Sequence, residues 1–219
     1  MNTYYDSGGV KIYNCDCREI VSTLGKFDML LTDPPYGIGC DSGKPDRDYL
    51  FSRKGLTRKL ERRQYPDSWD VKPSGDLLLT LLAAAKTAIV WGGNFFAHEL
   101  PQSFGWLVWD KVNTMPSFSD CELAWTNLPR KSVKRFVCSG NGLMAKEKFR
   151  CHPTQKPVDL MLWCMGFVPD AETVLDPFMG SGTTLRAAKD LGRKAVGIEL
   201  EERYCEIAAN RLSQEVLAL

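Results

Sequence analysis

The sequence predicts an α/β fold, a three-layer sandwich in which helices cover both faces of a mostly parallel sheet. Apolar runs of strand length alternate along the chain with helical segments. The last quarter contains the clearest strand–helix–strand unit, with glycines between its first strand and its helix. A chain of 219 residues suits one well-buried domain, so residues 1–219 are predicted to form a single domain.

Seven strands are predicted, because each is a short apolar run bounded by turn residues. They cover residues 11–15, 27–32, 87–91, 105–109, 120–126, 173–175 and 194–198. The second strand runs directly into Asp33 and two prolines, Pro34 and Pro35. Prolines forbid further strand or helix at that point, so this strand must end in a turn.

Helices are predicted between the strands from their start and stop signals. They cover residues 18–24, 77–86 and 157–165, a segment that ends at residue 191, and an amphipathic carboxyl-terminal segment. Gly25 and Gly192 end the first and fourth of these helices. Asp76 is expected to cap the second helix, and Pro157 opens the third.

Two basic regions interrupt this pattern. Residues 40–72 lack hydrophobic periodicity and form either a solvated surface or a loop that contacts a polyanion. A second basic stretch follows residue 129. The candidate phosphate contacts in the two regions are Arg58, Lys59, Arg130, Lys131, Lys134 and Arg135. The net charge of +1 excludes a uniformly basic nucleic-acid coat but leaves room for such local surfaces.

The cysteine pattern argues against zinc and against disulfide bonds. The eight cysteines include no C-x-x-C pair, and the two histidines, His98 and His152, lie far apart in the sequence. Free thiols and no bound metal are therefore expected, as in a reducing cytoplasm. The amino terminus is too polar for a signal peptide, and the longest apolar stretch, residues 77–85, is too short to span a bilayer. A soluble, cytoplasmic protein is expected.

Two glycines in the last strand–helix–strand unit predict a nucleoside-binding loop. Gly180 and Gly182 lie between a strand and a helix, where the backbone can approach a ligand closely. Asp176 and Glu199 end the two strands of the unit, and a carboxylate 19 residues after Gly180 suits the hydroxyls of a ribose. A phosphate-binding P-loop would need a lysine directly before Thr183, and the sequence has glycine there. The remaining alternative to a nucleoside-binding loop is a tight turn with a structural role only.

The tetrapeptide Asp33-Pro34-Pro35-Tyr36 follows a buried strand, so it is expected at the carboxyl edge of the sheet. The Asp33 carboxylate and the Pro34 carbonyl can both accept hydrogen bonds from one planar NH2 group, and Tyr36 can stack on a planar ring. The exocyclic amine of a base is a poor nucleophile because its lone pair is delocalised into the ring. Holding both amine protons on acceptors favours the pyramidal geometry that attack on a methyl sulfonium requires.

Asp-Pro-Pro-Tyr followed by Asp-Pro-Phe-x-Gly-x-Gly-Thr-Thr resembles the amino-methyltransferases of DNA modification. The tetrapeptide precedes the glycine-rich segment, and this order is that of the circularly permuted β group of the family. His-Pro-Thr-Gln-Lys-Pro at residues 152–157 is similar to the family helix that closes on the methionine end of the cofactor. The resemblance implies a Rossmann-like sheet of seven strands, one of them antiparallel, with S-adenosylmethionine as cofactor and double-stranded DNA as partner.

The resemblance also implies roles for individual residues. The target base would be held by Asp33, Pro34, Pro35 and Tyr36. The cofactor would be contacted by Asp16, Thr154, Lys156, Asp176, Phe178, Gly180, Gly182, Thr183 and Glu199. Within that set, Asp16 would reach the adenine amine, Glu199 the ribose, and Asp176 the amino-acid end. Strand 27–32 would lie beside strand 173–175, which would put Asp33 and Gly180 at one edge of the sheet.

The implied reaction is methyl transfer to the N6 amine of adenine after base flipping, because a base inside a duplex cannot present its amine to such a pocket. Adenine is favoured because the family more often has Asp at the first tetrapeptide position for adenine N6 and Ser for cytosine N4. Cytosine N4 is the nearest alternative. A catalytically silent DNA- or cofactor-binding protein is a further alternative, as is a methyltransferase for RNA or protein. Restriction partner, phage self-protection and housekeeping modification all stay open as biological roles.

The region where the family's target-recognition domain falls, residues 112–151, is short. Recognition of a DNA sequence is then minimal, shared with residues 40–72, or dependent on a second subunit, as in a homodimer.

Overall fold

The computed structural model describes residues 2–38, 70–112, 119–129, 132–138 and 155–213. The chain divides into two compact units. The larger unit comprises Met1–Pro34 and Ser74–Leu219, and the smaller comprises Pro35–Pro73. The basic region at residues 40–72 therefore falls within the smaller unit, and the single domain stays a prediction.

The larger unit is built on one mixed sheet. Its strands are β1 (Tyr5–Ser7), β2 (Val10–Asn14), β3 (Phe27–Thr32), β4 (Ala85–Trp91), β5 (Trp106–Asp110), β6 (Cys121–Thr126), β7 (Lys134–Val137), β8 (Thr173–Asp176) and β9 (Lys194–Glu199). Their order across the sheet is β1-β2-β9-β8-β3-β4-β6-β5-β7. β1 pairs with β2, and β6 with both β4 and β5, in antiparallel fashion. The remaining neighbours are parallel.

Helices lie on both faces of this sheet. They are α1 (Cys17–Ile20), α2 (Gly75–Ala83), α3 (Val158–Met165), α4 (Thr183–Asp190) and α5 (Glu202–Ser213). Met29 and Ile89 share one apolar cluster with α3, α4 and α5. The alternate residues Leu30 and Val90 are also buried but point to the opposite face, where α2 contacts β4. The predicted α/β class is therefore confirmed.

The strand count differs from the prediction: the described residues form nine strands rather than seven, and two of them, β1 and β6, run antiparallel rather than one. β1 is short and polar, and it pairs with β2 through a turn in which Gly8 and Gly9 have φ of 59° and 79°. Strand 11–15 is therefore one place in from the edge. β7 was missed because its exposed lysine and arginine obscure the alternation expected of a strand.

The predicted cap of α2 was wrong. Ser74, not Asp76, precedes the helix, and its hydroxyl accepts a hydrogen bond from the Leu77 amide at 3.3 Å. The helix also ends at Ala83 rather than at residue 86. Ala85 instead begins β4, where it pairs with Phe27 of β3, so sheet pairing overrides the helical propensity of this segment.

The predicted pairing of strand 27–32 with strand 173–175 is confirmed, because Met29 and Leu30 of β3 pair with Val174 and Leu175 of β8. At the amino-terminal ends of these strands, Asp28 accepts hydrogen bonds from the Thr173 hydroxyl at 2.8 Å and amide at 3.1 Å. Lys86 of β4 contacts the same carboxylate at 2.8 Å. One carboxylate therefore links three adjacent strands.

Asp28→Asn is expected to lower the free energy of unfolding at pH 7 by about 1–2 kcal/mol. Hydrogen bonds from Lys86 and Thr173 hold the pKa of Asp28 well below its usual value of 3.8. A depressed pKa contributes stability that is present above pH 3.8 and is lost as the pH falls towards the folded-state pKa. Urea denaturation at several pH values checks this, and a gap between variant and wild type that widens in acid would contradict it.

Candidate active site

Acidic residues meet at the carboxyl edge of the parallel strands. Asp176 and Glu199 end β8 and β9, Asp33 follows β3 directly, and Asp16 lies two residues beyond β2. These four strands are neighbours in the sheet, so their ends are brought together. Asn14 ties β2 to β9 there by donating from its side chain to the Glu199 carbonyl at 3.0 Å. The structure thus places the predicted acidic residues along one edge.

The loop after β8 is fixed by the Glu199 side chain. One carboxylate oxygen accepts a hydrogen bond from the Gly180 amide at 3.0 Å, and the other from the Glu201 amide at 2.9 Å. Burial raises the pKa of Glu199 against the effect of these hydrogen bonds. Gly180 has φ +50°, and a Cβ placed there would meet no atom within 4 Å. Its backbone therefore faces open space in which a ligand can approach closely.

Gly182 has a different role in the same loop. It precedes α4 with φ +78°, and a Cβ there would lie 2.8 Å from the Ala208 Cβ of α5. Glycine is thus required for the packing of α4 against α5. Arg211 of α5 donates to the Ser181 carbonyl at 2.6 Å, which holds the loop from its helical side. Thr183 at the start of α4 is buried, and the Phe178 side chain is half-buried.

Asp176 is a buried carboxylate with a complete hydrogen-bond shell on one oxygen. That oxygen accepts from the Thr32 hydroxyl at 2.8 Å and from the Phe178 amide at 3.2 Å. Burial raises the pKa of Asp176 to about 6, the hydrogen bonds oppose the rise, and the charge of Asp33 adds to it. The two carboxylates therefore interact across the β3–β8 pair.

Asp33 is held by a chain of charged groups. Its carboxylate lies 2.5 Å from the Lys156 ammonium, which lies 2.9 Å from the Glu122 carboxylate. The other oxygen of Glu122 pairs with Lys111. Burial opposes ionisation of Glu122, but Lys156 and Lys111 outweigh it and lower its pKa to about 2. The result is a network of alternating charge that ends on the residue predicted to touch the target amine.

Asp16 is the amino-terminal cap of α1. Its side chain accepts from the Arg18 amide at 2.9 Å and also pairs with the Arg18 guanidinium. The hydrogen bonds from Arg18 lower the pKa of Asp16. The predicted contact of Asp16 with an adenine amine stays a prediction.

The smaller unit contains Pro35 and Tyr36, whose side chains are half-buried; Pro34, in the larger unit, is buried. Within the smaller unit, the Gly37 amide donates to one Asp70 oxygen at 2.8 Å. The Ile38 amide donates to the other at 2.9 Å. Asp70 is only 8% exposed and fixes the chain directly after the tetrapeptide.

Several predicted residues fall outside the described ranges. These are Thr154 among the cofactor contacts and Arg58, Lys59, Arg130 and Lys131 among the DNA contacts. Lys134 and Arg135 are described, and both are exposed on β7. Arg135 lies 3.3 Å from the Asp110 carboxylate in a solvent-exposed ion pair. Their exposure on an outer strand suits contact with a polyanion.

Sequence reasoning missed Glu122 and Asp70. Glu122 lies near the start of a strand, two residues after another acidic residue, and that position alone carries no signal for a buried partner. Asp70 lies in a stretch without hydrophobic periodicity. Finding either would need the strand order or the contacts of the folded chain.

The residues at this edge fit a nucleoside-containing cofactor. Open space above Gly180 and the half-buried Glu199 carboxylate next to it suit a ribose, because each carboxylate oxygen can accept two hydrogen bonds. Among the described residues, no group of three or more His, Cys, Asp or Glu side chains could hold a metal ion. The six cysteines within those ranges carry free thiols. No described helix is long and apolar enough to cross a bilayer.

Residues 108–210 match the family model N6_N4_Mtase, described as DNA methylase. The chain is 26% identical to the Type II methyltransferase M2.DpnII of Streptococcus pneumoniae over 97% of its own length and 92% of the relative's. It is 25% identical to M2.LlaDCHI of Lactococcus lactis subsp. cremoris, covering 96% of this chain and 92% of that one.

Solved structures share the fold. The crystal structure of the M1.HpyAVI–SAM complex superposes with a TM-score of 0.60 at 24% identity, covering 94% of this chain and all of that one. The PvuII DNA methyltransferase, described as cytosine-N4-specific, gives 0.61 at 15% identity, covering 95% of this chain and 88% of that one. Together, the matches support the DNA methylase family and S-adenosylmethionine-dependent DNA methyltransferase activity for this chain.

Proposed function

We propose that this enzyme methylates the exocyclic N6 amine of adenine in double-stranded DNA. The single observation that carries the proposal is the position of Asp33 at the carboxyl end of β3, beside β8, whose own end leads into the Gly180 loop. A hydrogen-bond acceptor for an amine and a nucleoside-binding loop thus lie at the ends of adjacent strands. This is the juxtaposition that methyl transfer from cofactor to base requires.

In this proposal the chain's residues orient both reactants. Asp33 and the Pro34 carbonyl accept hydrogen bonds from the two N–H groups of the target amine, and Tyr36, three residues further along, provides the platform for the ring. S-adenosylmethionine, when bound, supplies an electrophilic methyl group whose C–S bonding electrons stay on sulfur. The amine nitrogen forms the new N–C bond, and one of its protons passes to the Asp33 carboxylate. Glu199 would hold the ribose, and Asp176 would lie near the amino-acid end.

The choice of adenine over cytosine depends on Asp33 at the first tetrapeptide position. The fold itself does not discriminate, since a neighbour of the same fold is described as cytosine-N4-specific. The deciding experiment transfers labelled methyl from S-adenosylmethionine to unmodified duplex DNA and digests the product to nucleosides. Label in N6-methyladenine is expected; label only in N4-methylcytosine would make the alternative correct. Equal transfer to RNA or protein, or none to DNA, would reject the proposal.

Base flipping and the permuted chain order are parts of the same proposal. Flipping is required because the N6 amine of a paired adenine takes part in base pairing and cannot reach a pocket at a sheet edge. The β-group order is supported by the chain itself, in which Asp33 precedes Gly180 and yet lies on the neighbouring strand. An enhanced fluorescence of 2-aminopurine at the target position on binding is the expected sign of flipping.

Substitution of both Lys134 and Arg135 by glutamine is expected to weaken DNA binding and to make its salt dependence shallower. The two exposed side chains on β7 are proposed phosphate contacts, so the slope of log K against log salt should fall by up to about 2. Fluorescence anisotropy over a salt series measures this. Lys11→Gln, on β2 near the opposite side of the sheet, is the matched control; an unchanged slope in the double variant would move the DNA surface elsewhere.

A cytoplasmic location in a bacterial or phage-infected cell follows from this function, and both curated relatives are bacterial. A homodimer is proposed as the way in which a chain with a short recognition region reads a DNA sequence. Analytical ultracentrifugation with and without DNA tests it, and a monomer bound to one DNA site would exclude it.

A further inference from the structure

We propose that Glu122 is a positioning residue that orients the catalytic Asp33 through Lys156. This inference rests on the proposed function, because it assumes that Asp33 accepts hydrogen bonds from the target amine. Lys156 lies between the two carboxylates, 2.5 Å from Asp33 and 2.9 Å from Glu122. Glu122 contacts Lys156 and Lys111, so its effect on Asp33 is inferred to pass through Lys156.

The sheet topology explains why a glutamate from β6 reaches this site. β6 runs antiparallel to β4 and β5, so its amino-terminal end lies at the carboxyl edge of its neighbours. Glu122 pairs in register with Trp109, at the end of β5. A residue at the start of a reversed strand thus joins residues that follow the parallel strands.

Burial makes the network depend on both carboxylates. The Lys156 side chain is only 4% exposed, and an ammonium group taken out of water must be compensated by charge and hydrogen bonds. Asp33 alone could compensate it, but Asp33 must also engage the substrate. Glu122 shares the charge of Lys156, and Lys111 in turn holds Glu122. The four groups carry two positive and two negative charges.

Glu122 affects the reaction by fixing the position of the Lys156 ammonium. Because Lys156 keeps its contact with Glu122, its ammonium stays in place while the Asp33 carboxylate accepts a hydrogen bond from the substrate amine. A fixed cation on one side of Asp33 keeps that carboxylate ionised and limits its rotation. Without Glu122, Lys156 loses a carboxylate partner and competes more strongly with the amine for Asp33. Loss of Glu122 should therefore slow chemistry without weakening binding.

The test is a double-mutant cycle on the full-length enzyme. Glu122→Gln is expected to lower kcat and the single-turnover rate about a hundredfold, because displacement of the acceptor by an ångström is enough for such a loss. The KM for DNA and the Kd for S-adenosylmethionine should stay within about threefold. Glu122→Gln combined with Lys156→Met should be no slower than Lys156→Met alone, within about threefold. Glu122→Asp should recover part of the rate.

A second variant guards against misfolding. Lys111→Met with Glu122→Gln removes one charge of each sign and leaves the Lys156–Asp33 pair balanced, and the same loss of kcat is expected. Asp28→Asn, at the other end of the sheet, is the control that lowers stability without lowering kcat. A normal rate in both Glu122 variants, or losses in the cycle that multiply independently, would overturn the inference even if Asp33→Ala abolishes transfer. Full transfer by Asp33→Ala would instead reject the proposed function, and the inference with it.

Discussion

Replacement of Asp33 by alanine is expected to lower the single-turnover rate of methyl transfer at least about a thousandfold. The variant loses the carboxylate that is proposed to accept the amine proton. Binding of S-adenosylmethionine should change by less than about threefold, because the Gly180 amide is held by the Glu199 carboxylate. Lys156 keeps its contact with Glu122, so the variant should fold. Quenched-flow transfer of labelled methyl and calorimetric titration of the cofactor provide the two measurements.

Two further variants sharpen this prediction. Asp33→Asn keeps an oxygen that can accept one hydrogen bond but loses the charge, so its rate should lie between those of alanine and wild type. Asp6→Asn removes an exposed carboxylate of β1 that pairs with Lys11 at 3.2 Å, and it should transfer methyl at the normal rate. Parallel loss of cofactor binding and transfer in Asp33→Ala would show that Asp33 supports the cofactor site instead.

The edge of the sheet that carries the site could be predicted from the sequence, for a physical reason. Asp33, Asp176 and Glu199 each stand at the end of an apolar run, and the carboxyl ends of parallel strands share one edge. Gly180 could be assigned because a glycine between a strand and a helix marks close approach of the backbone. These inferences need only local pattern and one topological rule.

The support of Asp33 could not be predicted in the same way. Lys156 was expected at the methionine end of the cofactor, and that role stays a prediction. Its contacts with Asp33 and Glu122 in the folded chain were not predicted. Its partner Glu122 lies 34 residues earlier in the sequence and on a strand whose reversed direction no local pattern reveals. β1 and β7 were not predicted for a related reason: edge strands are exposed and lack the apolar alternation of central strands.

Replacement of Asp176 by asparagine is expected to make the ligand-free enzyme more stable above pH 6 and to weaken cofactor binding. Asp176 is 2% exposed, and burial raises its pKa from 3.8 to about 6. An acid whose pKa is raised on folding favours the folded state fully below the unfolded pKa, and that contribution is lost as the pH rises through the folded pKa. The native carboxylate is therefore buried at a cost above pH 6, up to about 3 kcal/mol.

The variant removes this cost at pH values at which Asp176 would be ionised. It changes the free energy of unfolding little at pH values at which Asp176 would be protonated. An asparagine in place of the acid keeps the shape of the side chain, so the gain in unfolding free energy should be largest at pH 8 and vanish near pH 4. Thr32→Val is the matched control, because it removes the hydrogen bond to Asp176 but leaves the charge. That variant should lose stability at pH 8. A loss in Asp176→Asn at pH 8 as well would contradict the prediction.

Cofactor binding gives the reason why a destabilising carboxylate would be kept. S-adenosylmethionine carries a cationic amino group, and a negative charge already desolvated within the site attracts it more strongly than an exposed one would. Loss of that charge should raise the Kd about 10- to 100-fold. The wild type should then gain more thermal stability from saturating cofactor than Asp176→Asn does. Differential scanning fluorimetry with and without cofactor measures the rise in Tm of each protein. Equal gains would mean that Asp176 serves the loop through Thr32 and Phe178 and leaves the amino group of the cofactor to another residue.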